Sequence, residues 1–445
     1  MEFTIPEYVN KIIGKLEDHN YKAFIVGGSV RDLILGKEPS DFDITTNAKP
    51  DEIEEVFKDY TTILVGKEFG TVAVVQEEDN IEITTYRTEG EYIDGRRPSE
   101  VVFTSNLEED LSRRDLTINA MAYNESIGLI DPFNGRKDLE KKKIKTVGNP
   151  RERFREDHLR ILRAVRFATQ LKFNIDYKTK IACKEMSHLL EKISMERIRE
   201  ELFKILLSEK PSYGIRLMEE LDILDIIIPE ITDMIGFDQK NPHHDKDVFN
   251  HTLCVVDNTP LILGIRLAAL FHDIGKPYTL TIDEEGIGHF YGHDKIGADM
   301  TKKILRRLKC ANKLIYNVTT LIKEHMTHHN NYKDRGLKRL IKRVGKDNIF
   351  NLIELQKSDR MCSSKDRNID FLIERKDRIR KILEDNEVYE KKQLAITGYD
   401  IIELGYSQGK IIGDILDYLT EKVIDNPELN NKEELNKIIL REYRR

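Results

Sequence analysis

The chain has 445 residues and a formal net charge of −7 at pH 7, and 34% of its residues are charged. This length allows two to four domains. With 39% hydrophobic residues and no tryptophan, the composition is typical of a soluble, largely helical protein. The N-terminal segment lacks the basic and apolar regions of a signal peptide, and no apolar run approaches the ~18 residues of a membrane span. We therefore expect a cytoplasmic protein with no membrane partner.

The cysteines argue against a metal ribbon. They lie far apart in the sequence and form no CxxC pair, which favours neither a zinc ribbon nor a disulfide framework. The four cysteines are Cys183, Cys254, Cys310 and Cys362.

A strand, a glycine turn and a helix follow a predicted amphipathic helix over residues 1–22. The apolar run Ala23–Val26 predicts a short buried strand, which Gly27 and Gly28 end. Ser29 is placed to cap the helix that opens at the next residue. A glycine turn between a strand and a helix N-terminus leaves backbone N–H groups free, and such groups bind phosphate well.

Two aspartates come after a second turn. Because side chains alternate along a strand, Asp41 and Asp43 are predicted to share one face, ~7 Å apart. Two carboxylates at this separation can share divalent cations, as in-line displacement at phosphorus requires. An isolated pair of this kind would favour a loop with solvated acids, but the glycine turn upstream favours a metal site.

A third acid lies in a later strand. One helix and three strands are predicted at residues 50–60, 62–65, 71–76 and 81–86. In the last of these strands Glu82 faces away from Ile81 and Ile83, so it is a candidate third carboxylate. An exposed strand glutamate is the alternative. Residues 88–98 are rich in glycine and charge and predict a mobile loop, with a surface hairpin as the alternative.

GGSVRD followed by DFD resembles the head of the polymerase β-like nucleotidyltransferases, and more narrowly the class II tRNA nucleotidyltransferases and their poly(A) polymerase relatives. The resemblance implies that Asp41 and Asp43 hold Mg²⁺ and act in catalysis with Glu82. It also implies nucleotide contacts from the glycine turn, through Gly27, Gly28, Ser29 and Arg31. The loop at 88–98 resembles the flexible loop of CCA-adding enzymes.

Residues 111–123, LSRRDLTINAMAY, begin with two arginines and continue as a predicted helix. In the family, RRD followed by TINA places an arginine near the incoming nucleotide, which corresponds to Arg114 here. Asp115 and Asn119 are one turn apart and are suited to position that region. Alone this motif is weak, but it follows two others of the same family.

Residues 151–167 predict one helix with one buried apolar face, and Asp157 and Arg160, three residues apart, are neighbours on that helix. Aspartate accepts and arginine donates hydrogen bonds, so together they can match the Watson–Crick edge of a base. The resemblance implies this use, because EDHLR corresponds to the family's EDxxR element, which selects CTP or ATP without a nucleic-acid template. Arg163 and Arg166 continue the face towards the triphosphate. A helix with surface salt bridges is the alternative.

Helices are predicted over 176–230, where SMERIREEL resembles the RNA-binding neck of the superfamily. The pattern alone supports only a helical spacer. Local basic clusters are compatible with RNA binding in spite of the negative net charge. One cluster lies within residues 151–166. The other consists of four residues that share a predicted helix face, Lys338, Arg339, Lys342 and Arg343.

A second constellation surrounds LFHDIGKP. His272 and Asp273 offer one nitrogen and one oxygen ligand, and His251 and Asp359 on other helices can complete the site. Such mixed ligands suit a borderline or hard divalent metal that activates water. The pattern resembles the HD phosphohydrolase domain, although a lone histidine is more often a hydrogen-bonded core residue. Two histidines that would extend the site to a second metal are His293 and His325.

The C-terminal segment has a lysine-rich joint from about residue 375, followed by predicted helices around Gly405 and Gly409. These glycines allow a tight turn whose backbone N–H groups would suit phosphate. This resembles the tRNA-holding tail of bacterial CCA-adding enzymes, and a helical hairpin with packing glycines fits equally well.

The sequence thus predicts an α+β protein, with a small mixed sheet in a polymerase β-like head and an all-helical neck, HD body and tail. The predicted domains are 1–145, 146–235, 236–372 and 373–445. The resemblance implies template-independent addition of CCA to tRNA 3′ ends from CTP and ATP, with Mg²⁺ in the head and a second divalent metal of unknown identity in the HD site.

Several alternatives stay open. The first is an A-adding or poly(A) polymerase of the same family, which shares the head motifs. The second is an HD phosphohydrolase with an RNA-binding head, and the third is a tRNA-binding protein without catalysis. The oligomeric state, monomer or dimer, is also open.

Overall fold

The computed structural model describes residues 3–64, 69–75, 80–90, 101–240, 246–329, 331–363 and 367–443. The chain divides into two compact units, Met1–Pro229 and Glu230–Arg445. The first unit combines a sheet with helices and the second is mainly helical, so the predicted α+β class is confirmed. The finer division into four domains stays a prediction. Within the described ranges, no helix is both long enough and apolar enough to cross a bilayer.

The first unit contains eleven α-helices and eleven strands within its described residues. Its helices are α1 Glu7–Asp18, α2 Gly28–Ile34, α3 Pro50–Val56, α4 Leu107–Ser112, α5 Gly135–Glu140, α6 Pro150–Glu156, α7 Arg160–Leu171, α8 Tyr177–Met186, α9 Met195–Leu206, α10 Pro211–Glu220 and α11 Leu224–Ile227. Its strands are β1 Ala23–Val26, β2 Asp43–Thr46, β3 Thr62–Ile63, β4 Thr71–Val75, β5 Asn80–Thr85, β6 Arg87–Glu89, β7 Val101–Phe103, β8 Ala122–Asn124, β9 Gly128–Ile130, β10 Lys143–Ile144 and β11 Asn174–Ile175.

The large sheet has the strand order β3-β4-β5-β2-β1-β8-β9. Only β2 and β5 pair in parallel, and the other neighbours are antiparallel. Strand β1, which lies between β2 and β8, is buried at every residue, because its four apolar side chains pack on both faces of the sheet. This burial fixes the register of β2 beside it, with Asp43 opposite Val26.

Several local predictions in this unit need correction or restriction. The helix predicted over 111–123 does not form, because α4 ends at Ser112, a single 3-10 turn spans Thr117–Asn119 and β8 begins at Ala122. Ser29 does not cap α2, because Gly27 occupies the N-cap and the Ser29 hydroxyl donates to the Val26 carbonyl at 3.1 Å. Strand β2 starts at Asp43, so Asp41 precedes the strand. Most of the predicted loop at 88–98 lies outside the described residues, and its first residues belong to β6.

The second unit contains ten α-helices and a short hairpin within its described residues. The helices are α12 Val248–Asn258, α13 Leu263–Phe271, α14 His293–Arg307, α15 Asn312–Glu324, α16 Asp334–Val344, α17 Ile349–Cys362, α18 Asp370–Glu384, α19 Gly398–Glu403, α20 Lys410–Asp425 and α21 Lys432–Glu442; the hairpin strands are β12 Thr281–Ile282 and β13 Gly288–His289. Helix α13 packs against α12, α15 and α17. Helix α13 is apolar and almost entirely buried, because it is the centre of this bundle.

A disulfide joins Cys254 in α12 to Cys362 in α17, with Cα atoms 5.9 Å apart. The sequence spacing predicted no such framework, because the two cysteines are 108 residues apart. Packing of α12 against α17 brings them together.

Candidate active site and candidate metal centre

Three carboxylates meet where β2 and β5 run side by side. Asp43 pairs in register with Glu82 of the parallel strand, and Asp41 lies two residues before Asp43; all three residues are exposed. Surrounding protein atoms nevertheless partly desolvate Asp43. This desolvation, followed by the charge of Asp41, raises the pKa of Asp43 to about 6, with a smaller contribution from Glu82 and an opposing one from Arg114. Acids whose charges raise a neighbour's pKa form a site that a divalent cation would neutralise.

Arg114 lies directly over the glycine turn. Gly27 has a φ of +82°, and a Cβ atom there would be 3.1 Å from Arg114 Nη1. Asp110, which is fully buried, holds this arginine with Oδ2 3.5 Å from Arg114 Nη2, and it binds Arg113 Nε at 2.9 Å. The hydroxyl of Thr45 in β2 donates to the same Asp110 carboxylate at 3.3 Å. The buried acid therefore ties Arg114 to the strand that begins with Asp43.

A chain of polar side chains links the GGSVRD motif, the RRDLTINA motif and helix α7. Arg31 Nη1 donates to Asn119 Oδ1 at 2.8 Å, and Asn119 Nδ2 donates to Asp115 Oδ1 at 3.4 Å. Asp115 Oδ2 then pairs with Arg163 Nη2 at 2.6 Å. Burial acts to raise the pKa of Asp115, but the charge and hydrogen bonds of Arg163 outweigh it and lower the pKa to about 2. Arg31 and Arg163 are thus positioned by one shared network.

Three guanidinium groups surround the ring of Phe167. The guanidinium carbons of Arg31, Arg163 and Arg166 lie 5.1, 5.5 and 4.0 Å from the ring centroid. Glu201 in α9 forms an ion pair with Arg166, at 2.7 Å between Oε2 and Nε. Such contacts fix the planes of the guanidinium groups. Three of the four predicted triphosphate-binding arginines therefore converge on one point, and the fourth, Arg114, lies above the glycine turn.

The EDHLR element is not one helix. Helix α6 ends at Glu156, Asp157 has an extended backbone, and α7 begins at Arg160. Asp157 and Arg160 are consequently not neighbours on a helix face, which corrects the prediction. Asp157 Oδ2 accepts from Arg197 Nη2 at 2.9 Å, while Arg160 donates to Glu156 at 2.5 Å and to the carbonyl of Arg113 at 2.9 Å. Each of the two side chains is held separately at the break between the helices.

The predicted basic face on α16 is neutralised by acids of the second unit. Its four cations are paired as Lys338–Glu387 at 2.6 Å, Arg339–Glu421 at 2.7 Å, Lys342–Glu421 at 3.0 Å and Arg343–Glu324 at 2.9 Å. Helix α20 supplies Glu421, so this face packs on the C-terminal helices instead of presenting a basic surface. The sequence could not predict these partners, which are far away along the chain.

The four predicted HD ligands converge in the second unit. His251 Nε2 lies 3.0 Å from Asp359 Oδ1 and 3.7 Å from Asp273 Oδ2. His272 Nε2 lies 3.2 Å from Asp273 Oδ2 and has no hydrogen-bond partner among the described residues. Because His272 Nδ1 donates to the carbonyl of Ala269 at 2.8 Å, its Nε2 atom faces the cluster. This donor set fits a divalent metal.

A second group of ligand atoms shares Asp273. His293 Nε2 lies 3.5 Å and His325 Nε2 3.9 Å from Asp273 Oδ1. Both rings donate through Nδ1 to backbone carbonyls, those of Phe290 at 2.6 Å and Ile322 at 2.5 Å. Burial, followed by the positive charges of neighbouring histidines, lowers the pKa of His325 to about 3, so its ring is neutral and able to bind a metal. Asp273 therefore stands between two groups that could each hold an ion.

Sequence reasoning missed three residues of these sites. Asp110 could have been found, because an acid four residues before an arginine is a common ion-pair spacing, although Arg114 itself lies just beyond the end of α4. Arg197 lies within the SMERIREEL segment, but only the fold shows that it reaches Asp157. Lys276 in HDIGKP is buried and lies 2.7 Å from Asp273 Oδ2.

Three family descriptions match the chain. Residues 23–145 match the "Poly A polymerase head domain", 172–235 the "Probable RNA and SrmB- binding site of polymerase A", and 281–439 the putative "tRNA nucleotidyltransferase domain 2". The fold and the carboxylate site thus define a nucleotidyltransferase with a poly(A) polymerase-type head.

Comparison with similar proteins shows which kind of nucleotidyltransferase this chain is. The CCA-adding enzyme of Ligilactobacillus salivarius is 33% identical over 436 residues, which are 97% of this chain and 96% of that enzyme. The CCA-adding enzyme of Pediococcus pentosaceus is 34% identical over 427 residues, or 96% and 95% of the two chains. The chain therefore belongs to the CCA-adding enzymes, the tRNA nucleotidyltransferases that add CCA to tRNA. This confirms the resemblance inferred from the motifs and favours CCA addition over poly(A) synthesis.

Solved structures agree with this assignment. The Bacillus stearothermophilus CCA-adding enzyme in complex with CTP is 26% identical with a TM-score of 0.73, covering 99% of this chain and 100% of that one. The Thermotoga maritima CCA-adding enzyme complexed with tRNA_CCA, at 23% identity and a TM-score of 0.60 over 99% and 97% of the chains, shows the same fold. Nucleotidyltransferases of this family use divalent metals, and the described residues include groups able to hold them.

Proposed function

We propose that the first unit extends tRNA by attack of the 3′-hydroxyl on the α-phosphorus of CTP, twice, and then of ATP, with release of pyrophosphate. The observation that carries this proposal is the register of Asp43 with Glu82 beside Asp41. Asp41 and Asp43 would hold Mg²⁺, and bound Mg²⁺ supplies activation of the hydroxyl and neutralisation of the leaving group. Glu82 adds a third carboxylate at the same edge.

The arginines around the turn orient the triphosphate. Gly27 and Gly28 allow the phosphates to approach the backbone, and Ser29 opens the helix beside them. Arg114 lies above the turn, held by Asp110. The remaining cations of this group, which converge on Phe167, are Arg31, Arg163 and Arg166. Fixed positive groups at the site of developing negative charge stabilise the transition state without reorganisation.

Base selection is assigned to Asp157 and Arg160. Cytosine and adenine both carry an amino group that a carboxylate accepts from, and both offer ring acceptors to an arginine. Uracil and guanine place a carbonyl where the amino group would be, so Asp157 would face an acceptor. Arg197 holds Asp157 Oδ2 and leaves a second lone pair on each carboxylate oxygen. The separate anchoring of the two side chains keeps both available to a base.

The test uses tRNA ending at the discriminator base, with single labelled nucleotides and sequencing of the products. Wild-type protein is expected to add C, C and A and then stop. Asp41→Ala and Asp43→Ala are each expected to abolish addition while tRNA binding stays nearly intact. Asp18→Asn, an exposed acid of the same unit, serves as the matched control. Either site variant keeping more than about a tenth of the wild-type turnover would contradict the metal assignment.

We also propose a metal-dependent phosphohydrolase activity for the second unit. The convergence of His251, His272, Asp273 and Asp359 supports it, and His272 Nε2 without a hydrogen-bond partner in the described part of the chain supports it further. A metal held there supplies an activated water. Asp273, His293 and His325 would hold a second ion. The identity of both metals is left to the experiment.

The experiment is a double variant, His272→Ala with Asp273→Ala. It is expected to lose metal-dependent hydrolysis of 2′,3′-cyclic phosphates and to keep CCA addition, because the two ligand sets lie in different units. His289→Ala, a histidine on the nearby hairpin, is the matched control. Equal loss of both activities from a protein still folded by circular dichroism would contradict independent sites.

We also propose a division of the chain into four domains. These are a catalytic head at 1–145, a neck at 146–235, an HD body at 236–372 and a tRNA-binding tail at 373–445. The family match that ends at residue 145 and the one that spans 172–235 support the first two ranges. Because tRNA and both nucleoside triphosphates are cytoplasmic substrates, we propose the cytoplasm as the location.

A further inference from the structure

The disulfide lies next to two ligands of the proposed metal site. Cys254 follows His251 by three residues on α12, and Cys362 follows Asp359 by three residues on α17. Residues three apart on a helix are neighbours on its surface. The pair of cysteines is therefore one turn away from the pair of ligands, whose nearest atoms, His251 Nε2 and Asp359 Oδ1, are 3.0 Å apart.

The ligands differ in what holds them in place. His272 and Asp273 are adjacent in the chain, so one backbone segment at the end of α13 sets their mutual geometry. His251 and Asp359 come from helices 108 residues apart, and their separation depends on how closely α12 and α17 pack. A bond between α12 and α17 therefore acts on the distance between His251 and Asp359, which no single backbone segment sets.

We propose that Cys254 and Cys362 form a thiol–disulfide modification site that sets the metal affinity of the second unit. This inference rests on the metal site proposed above. The oxidised pair holds α12 and α17 at the separation that His251 and Asp359 need. In the reduced pair the two helices are free to separate, and the ligand set binds its metal more weakly.

The environment of the sulfur atoms suits reversible exchange. Asn258 Nδ2 donates to Cys254 Sγ at 3.7 Å and to Cys362 Sγ at 3.6 Å. Hydrogen bonds to a thiolate favour the charged, reactive form. Disulfides are mostly transient in reducing compartments, so a pair in a cytoplasmic enzyme is expected to cycle between its two states.

The exposure of the two residues sets the order of the reaction. Cys362 is 2% exposed and Cys254 is half-buried. The Cys254 thiolate attacks a small-molecule disulfide and releases one thiol, leaving a mixed disulfide on Cys254. The Cys362 thiolate then displaces the second thiol and forms the internal bond. Two electrons pass to the small-molecule disulfide, and the two cysteine protons end on the two released thiols.

The experiment compares the full-length protein after treatment with dithiothreitol or with oxidised glutathione, each then removed. Thiol titration of the denatured protein is expected to find all four cysteines after reduction and two fewer after oxidation. Ni²⁺ binding is measured by calorimetry, and His272→Ala reports binding elsewhere on the chain. The oxidised protein is expected to bind Ni²⁺ about tenfold more tightly, the size of effect seen when the support of metal ligands changes.

Single-cysteine variants separate the effect of this disulfide from general effects of oxidation. Cys362→Ser is expected to bind Ni²⁺ with the weaker affinity of the dithiothreitol-treated wild type after both treatments. Cys254→Ala serves the same purpose in case the first variant misfolds. Cys310→Ser, whose thiol takes no part in the disulfide, is expected to respond like wild type. CCA addition should be the same in both states.

Three results would overturn the proposal. Four titratable thiols after oxidation would show that the pair does not form. Affinities within twofold of each other would show that the pair does not act on the metal, while the metal site itself would stand. Absence of Ni²⁺ binding in both states would remove the metal site and this inference together.

Discussion

Replacing Asp110 by asparagine tests whether a buried acid positions the triphosphate arginine. Asp110 is fully buried and accepts from Arg113, from Arg114 and from the hydroxyl of Thr45. The amide keeps the shape but loses the charge that pairs with the guanidinium groups of Arg113 and Arg114. Breaking a buried ion pair costs about 3–5 kcal/mol. Because the arginine side chains are still 16% and 19% exposed, water offsets part of this cost and we expect about 3 kcal/mol.

The same change should slow the chemistry of both nucleotides. Arg114 loses the contact that holds it over Gly27, and the loss of one fixed charge at a reacting centre costs about 10²-fold in rate. The triphosphate is common to CTP and ATP, so single-turnover rates should fall by the same factor for both. Urea denaturation gives the stability change. Glu108→Gln, an exposed acid of the same helix, is the control.

A double-mutant cycle sharpens this test. If Asp110 acts through Arg114, adding Arg114→Gln to Asp110→Asn should slow the reaction little further, because the first change already removes the interaction. Rates and stability equal to those of the Glu108→Gln control would refute the reasoning. A loss confined to one nucleotide would also refute it, because it would place Asp110 at the base instead of the triphosphate.

Three further outcomes are expected. Gly27→Ala should destabilise the protein by about 2 kcal/mol and slow both additions, because only glycine tolerates this backbone conformation; unfolding and activity assays check it. Asp115 has a depressed pKa of about 2 in the folded protein. Its ionised carboxylate therefore adds about 2 kcal/mol to the free energy of unfolding above pH 4, and this contribution is lost as the pH falls towards 2. Asp115→Asn should remove this part of the acid dependence in pH-resolved denaturation. Asp157→Ala should increase the use of UTP relative to CTP in single-turnover assays, and Arg197→Ala should do so more weakly; a common slowing of all four nucleotides would contradict base reading.

Local sequence was sufficient for the strand-turn-helix that carries the glycine site. The four apolar residues of β1 and the glycines after them predict a buried strand and a turn, and alternation places Glu82 on the opposite face from its apolar neighbours. The candidate HD ligands could also be named, because two histidines and two aspartates, both residue types that bind metals, occur in an order that resembles the HD phosphohydrolase domain. These signals depend on short stretches of chain, in which backbone propensity and side-chain chemistry act directly.

Contacts between distant segments were decided only by the tertiary structure. The parallel pairing that sets Asp43 beside Glu82, the reach of Arg197 to Asp157 and the acids of α20 against α16 all join residues that no local pattern connects. The break at Asp157 interrupts an apolar pattern that is equally consistent with one continuous helix. The bond between Cys254 and Cys362 exists because α12 and α17 pack side by side, and helix packing depends on the whole core rather than on cysteine spacing.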